Sequence, residues 1–82
     1  MDKKIRLEIM SPSGKVFAGE VDAVFLPGTK CAFEVLPGHD AIISSLECGL
    51  IRYRQGGEEV SISIASGFMI NKADHLKVCI EK

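Results

Sequence analysis

The sequence predicts an all-β domain, a flattened sandwich or barrel of two packed sheets. Three observations carry this. Apolar residues recur at every second position, as in Ile5, Leu7 and Ile9 with Arg6 and Glu8 between them, which is the spacing of a strand with one buried face. Turn-forming residues interrupt the chain too often for long helices. A length of 82 residues supports one small hydrophobic core, hence a single domain over residues 1–82.

The elements follow in order. After the first strand, Ser11-Pro12-Ser13-Gly14 reads as a turn. Residues 21–26 are β-rich, and the unbroken apolar run Ala23-Val24-Phe25-Leu26 suits a strand buried on both faces. Two of the three prolines then occur in the same tripeptide, Leu26-Pro27-Gly28 and Leu36-Pro37-Gly38. Proline presets the first central position of a type II turn and glycine supplies the positive φ of the second, so a reversal is expected at each. Residues 31–36 between them read as one strand, which at about 3.3 Å per residue holds the turns roughly 20 Å apart. Residues 40–46 are the only helical rival, with Asp40 as a possible N-cap. The β-branched pair and two serines of Ile42-Ile43-Ser44-Ser45 favour an extended segment.

Leu50 to Arg54 is β-rich, Gln55-Gly56-Gly57 is a hairpin turn, and Val60, Ile62 and Ile64 alternate with serines. Gly67 in Ser66-Gly67-Phe68 reads as a bulge or a close backbone approach. Asn71-Lys72-Ala73-Asp74 is a last turn before Leu76, Val78 and Ile80. This makes nine or ten strands, with a predicted core of Leu7, Ile9, Phe25, Phe33, Val35, Ile62, Ile64, Val78 and Ile80.

Composition excludes several function classes. Ten basic against 11 acidic side chains leave no surplus cation for phosphate neutralisation, which argues against nucleic acid. Five aromatics and no tryptophan give little base-stacking surface. No apolar run reaches the length of a membrane span, and MDKKIRLEIM lacks the apolar centre of a signal peptide. A soluble, cytosolic protein is expected. Cys31, Cys48 and Cys79 are odd in number and far apart, so reduced, buried thiols are expected.

Chemistry is sparse. His39-Asp40 and Asp74-His75 are the only histidine–carboxylate neighbours, and adjacent strand residues point to opposite faces. No nucleophile, metal-ligand spacing or phosphate loop accompanies them, so no catalytic, metal or cofactor site is predicted and the chain does not read as an enzyme. His39, following a turn, could present its ring to a partner. Two alternatives stay open: a lipoyl- or biotinyl-type carrier modified on Lys72, and an unrelated β-sandwich binding module.

Taken together, SPSGKVFAGEVDAV, LPG, FEVLPGH and SGFMI are similar to the N-terminal domain of the ε subunit of F-type ATP synthase. The likeness runs in order from about Lys4 to Glu81. The family commonly carries glycines at the positions of Cys31 and Glu34, and often a proline two residues after the histidine matching His39. It usually adds a C-terminal two-helix hairpin, which residues 1–82 are not expected to include. The resemblance implies a ten-stranded β-sandwich in the central stalk, peripheral at the cytoplasmic face of the membrane. There it would link the γ subunit to the ring of c subunits and help couple proton or sodium translocation to ATP synthesis, with no cofactor and no membrane insertion. It also implies that Gly28, Thr29, Lys30, Cys31 and Ala32 face the c ring, and that Ser11, His39 and Ser44 face γ.

Overall fold

In the computed structural model, which describes residues 3–81, the alternating segments form nine strands. They are β1 (Ile5–Ser11), β2 (Gly14–Val21), β3 (Ala23–Leu26), β4 (Phe33–Val35), β5 (Ile42–Leu46), β6 (Gly49–Gln55), β7 (Glu58–Ile64), β8 (Ser66–Lys72) and β9 (His75–Glu81). No helix occurs among the described residues, and residues 42–46 are extended, as their β-branched pair implied. The strands build a five-stranded sheet ordered β2-β1-β9-β8-β5 and a four-stranded sheet ordered β4-β3-β6-β7. Neighbours are antiparallel except β1 and β9, which run parallel. The molecule measures 36 × 23 × 18 Å, the flattened shape of two stacked sheets.

The period-two pattern sets the core. Ile5, Leu7 and Ile9 of β1, Met69 of β8, and Leu76, Val78 and Ile80 of β9 point inward from the larger sheet. Val24, Leu26, Val35, Ile51, Tyr53 and Ile64 meet them from the smaller one. The sheets are joined at one corner, where the Phe17 and Tyr53 rings lie 4.4 Å apart and the Gln55 amide donates to the Glu20 carbonyl at 2.9 Å.

Three core expectations need correction. Phe33 and Ile62 are half-buried against the core. Phe25 faces outward, because Val24 and Leu26 take the inward phase of β3. Its ring lies beneath Arg52 and Arg54, whose guanidinium carbons are 5.0 and 5.8 Å from its centre, a favourable cation–aromatic contact. The thiols differ as well: Cys31 and Cys48 are exposed and Cys79 is half-buried. The first two lie in connections between strands, where no sheet covers them.

The two Leu-Pro-Gly tripeptides do different things. At Leu36-Pro37-Gly38 the His39 N–H donates to the Leu36 carbonyl at 3.1 Å and Gly38 has φ 86°, the expected type II turn. At Leu26-Pro27-Gly28 the chain does not reverse. Gly28 makes an isolated bridge with Leu46, the Glu47 N–H donates to the Pro27 carbonyl at 2.9 Å, and the Thr29 N–H donates to the Ser45 carbonyl at 3.2 Å. This segment therefore carries the chain from the small sheet onto the end of β5. The strand expected over residues 31–36 shrinks to β4, three residues long, and the count is nine strands plus one bridge rather than ten. Gly67 is a close approach: a Cβ there would fall 2.5 Å from the Cys79 carbonyl oxygen.

Candidate functional site

The large sheet has two apolar faces. Because Met69 and Asn71 point inward on β8, Phe68 and Ile70 must point out. They are 55% and 40% exposed, and Ile43 of β5 is 74% exposed. The register aligns them into a stripe, with Met10, Cys79 and Phe68 side by side in one row and Ile43 beside Ile70 in the next. A groove of about 450 Å³ runs along the first row, bordered by Met10, Ser11, Phe68 and Cys79. Contiguous exposed apolar surface of this kind marks an interaction face.

Ile43 also borders a second hollow of about 440 Å³, shared with Thr29, Lys30, Cys31, His39 and Ser44. The Thr29 and Ser45 hydroxyls lie 2.9 Å apart, and the Ser44 hydroxyl donates to the Ser45 carbonyl at 3.0 Å. The structure thus brings together residues that the sequence reading held at opposite ends of one strand, because β4 is short and residues 27–29 pair with β5. Gly28 is buried and does not border this hollow, and Ala32 borders a different one, with Phe25 and Arg52. Ser11 stands apart at the end of β1, its hydroxyl donating to the Gly14 carbonyl at 3.2 Å.

Residues 36–41, which carry His39, cross from β4 in one sheet to β5 in the other. The Gly38 N–H donates to Asp74 Oδ1 at 2.7 Å. Asn71 Nδ2 donates to the Asp40 carbonyl at 3.3 Å, and His39 Nδ1 lies 2.8 Å from that same oxygen. Asn71 is 1% exposed, and its Oδ1 is buried without a hydrogen-bond partner.

Neither sequence-adjacent histidine–carboxylate pair forms. His75 Nε2 instead lies 2.9 Å from Glu8 Oε1 across the parallel pair of strands, and this hydrogen bond holds the Glu8 carboxyl below the usual glutamate range. Among the described residues, no group of three or more His, Cys, Asp or Glu could hold a metal ion. Lys72 is not at a hairpin apex. It pairs with His75 in the ladder, and the apex is Ala73-Asp74, with φ 52° and 61°, a left-handed pair typical of a two-residue hairpin. A carrier lysine displayed at the tip of its turn has no counterpart here.

Sequence reading missed Phe68, Ile70 and Ile43 as surface residues. The available signal was that Phe68-Met69-Ile70 and Ile42-Ile43 are apolar in both phases, so one phase had to remain outside any single core.

Comparison with known proteins accords with this arrangement. The family model described as "ATP synthase, Delta/Epsilon chain, beta-sandwich domain" matches residues 4–82. The ATP synthase epsilon chain of Pelotomaculum thermopropionicum is 41% identical over 68 residues, 83% of this chain and 51% of that one. That of Desulforamulus reducens is 35% identical over 78 residues, covering 95% and 59%. This chain therefore spans a little over half the length of these relatives. The fold recurs in a chain of the Euglena gracilis mitochondrial ATP synthase, in a structure of OSCP, F1 and c-ring, with TM-score 0.90, 20% identity, and coverage of 96% of this chain and 51% of that one. It recurs again in the central stalk/c-ring structure from Tetrahymena thermophila, with TM-score 0.81, 11% identity, and coverage of 99% and 66%. With the family model spanning nearly every residue of a nine-stranded, two-sheet sandwich, the chain belongs to the family of ATP synthase delta/epsilon chain β-sandwich domains.

Proposed function

We propose that this domain is a non-catalytic part of the central stalk of an F-type ATP synthase, seated between the γ subunit and the c ring. The observation that carries the reading is the two-faced large sheet. Its outer stripe of Ile43, Phe68 and Ile70 is costly in water and becomes favourable once covered. We assign γ to this face and the edges bordering it: Ser11 at one end, and His39 and Ser44 around the hollow beside Ile43, with Ser44 on the opposite phase of β5, paired with Met69. The loop of Gly28, Thr29, Lys30, Cys31 and Ala32 is assigned to the c ring. Since Thr29 and Ser44 border one hollow, the two contacts adjoin. The domain would sit peripherally at the cytoplasmic face of the membrane and help transmit rotation between ion flow and ATP synthesis.

The test is binding to purified γ and to isolated c ring, with coupled ion pumping measured in reconstituted vesicles. Phe68→Asp would press a charge into an apolar contact and should abolish γ binding. Thr29→Arg should weaken ring attachment most and γ binding less. Wild-type binding of γ by Phe68→Asp would refute the assignment of the face. The 82-residue chain should neither hydrolyse nor tightly bind ATP; hydrolysis would refute its non-catalytic character, and tight binding by calorimetry would refute the absence of a nucleotide site.

A further inference from the structure

A buried asparagine with an unpaired oxygen weakens a fold unless its other atoms do something useful. Asn71 is the only buried polar or charged residue among those described, and its one hydrogen bond reaches out of the ladder to the segment that carries His39. We propose that Asn71 and Asp74 are positioning residues, which latch residues 36–41 onto the β8–β9 hairpin and hold His39 in one pose and one tautomer at the rim of the partner-facing hollow.

Segment 36–41 passes between sheets, and its own turn supplies one bond, from the His39 N–H to the Leu36 carbonyl. Among the described residues, its side-chain hydrogen bonds to other elements come from the hairpin. Asp74 accepts from the Gly38 N–H at 2.7 Å, and Asn71 donates to the Asp40 carbonyl. That carbonyl oxygen is the group to which His39 Nδ1 also bonds. A carbonyl can only accept, so Nδ1 carries the hydrogen, and in the neutral ring Nε2 is left as an acceptor. The latch therefore fixes the oxygen that fixes the ring. The partner group that such an imidazole recognises is an N–H or O–H donor. The hairpin apex suits this role, because Asp74 tolerates the left-handed φ of 61° better than most residues while offering a carboxylate to the loop.

This inference rests on the reading of His39 as partner-facing, and the test separates the two. Asp74→Gly keeps the turn, since glycine is at ease at that φ, but deletes the acceptor. Asn71→Leu removes the donor together with the unpaired oxygen and keeps the branched shape of the side chain. Both variants should still fold, with a single cooperative thermal transition. In the 82-residue chain, Asp74→Gly should speed exchange of the Gly38 amide hydrogen by about tenfold or more, the loss of one charge-assisted hydrogen bond. Asn71→Leu should shift the His39 ring ¹⁵N resonances away from a pure Nδ1–H pattern. Asp74→Asn, which retains an oxygen acceptor, should stay close to wild type in both. Unchanged exchange and unchanged ring resonances in folded Asp74→Gly and Asn71→Leu would overturn the latch. Faster exchange with undiminished binding to purified γ would support the latch and overturn the place of His39 on the contact face. Faster exchange with γ affinity down several-fold would support both.

Discussion

Alanine at Gly28 and alanine at Gly38 should harm the protein for unrelated reasons, although both glycines end a Leu-Pro-Gly tripeptide. At Gly28 the obstacle is space. A Cβ would lie 2.5 Å from the Cys31 carbonyl oxygen and 2.8 and 2.9 Å from two carbons of the Phe33 ring, where carbon contacts are optimal at about 3.5–4.0 Å. A backbone carbonyl cannot swing away as a flexible side chain can, so residues 28–32 must move by about 1 Å relative to β4 and β5 to restore that spacing. The shift strains the Gly28–Leu46 bridge and the Thr29–Ser45 contacts. Overpacking of this kind costs about 1–3 kcal/mol, which at about 4–8 °C per kcal/mol for a domain of this size lowers the thermal midpoint by roughly 4–24 °C. At Gly38 nothing lies within 4 Å of the added methyl. The penalty there is the backbone, since φ is 86° and a left-handed conformation costs a residue with a Cβ about 1–2 kcal/mol.

Asparagine separates the two mechanisms. It visits left-handed conformations more readily than alanine, so Gly38→Asn should recover much of the loss. At Gly28 its larger side chain meets the same carbonyl, so Gly28→Asn should be at least as damaging as Gly28→Ala. Thermal denaturation of the four variants decides the matter. A wild-type midpoint for Gly28→Ala, or a milder effect for Gly28→Asn than for Gly28→Ala, would refute the close-approach account.

Other outcomes follow from the same structure. Ala73 sits at φ 52°, so Ala73→Gly should relieve left-handed strain, offset in part by the entropy of the unfolded chain, and raise stability by about 0.5–1 kcal/mol in denaturant titration. The hydrogen bond from His75, its largest influence, depresses the Glu8 carboxyl; stability from this pair is therefore present above the ordinary glutamate range and lost as pH falls through the folded value. Glu8→Gln should accordingly flatten the acid limb of the stability profile, read from denaturant titrations across acid pH. Cys31 and Cys48 are exposed and Cys79 is half-buried, so a thiol reagent should modify two groups quickly in the native protein and the third slowly, with all three equal in denaturant.

The fold was legible wherever one phase of a strand was polar. Ile5, Leu7 and Ile9 alternate with charges and are all fully buried, and Leu76, Val78 and Ile80 behave alike. Phase was lost where both faces were apolar: Phe25 lies in an unbroken run, and only the arginines placed over its ring explain how a phenylalanine settles on the outside. The turn at Gly38 was legible because its cause is local. The role of Gly28 was not, since it depends on Cys31 and Phe33 folding back over it, which proline and glycine alone do not encode. For the candidate site, Thr29, His39 and Ser44 were singled out individually through the family pattern. Their convergence on one hollow required knowing that β4 has three residues, and the supports Asn71 and Asp74 looked like ordinary turn residues.

The parallel pairing of β1 with β9 has a consequence for how the polypeptide is made. Strand β1 finds its parallel partner only when β9 emerges from the ribosome, Glu8 and the His75 that bonds it lying 67 positions apart. Until then the large sheet exists at most as two separate strand pairs, the β1–β2 hairpin and the non-consecutive pair β5–β8. Each presents a bare hydrogen-bonding edge, with Ile5, Leu7 and Ile9 or Met69 uncovered beside it. Such edges recruit other chains. A nascent chain stalled or cleaved before residue 75 should therefore be a client for chaperones and proteases rather than a smaller working domain.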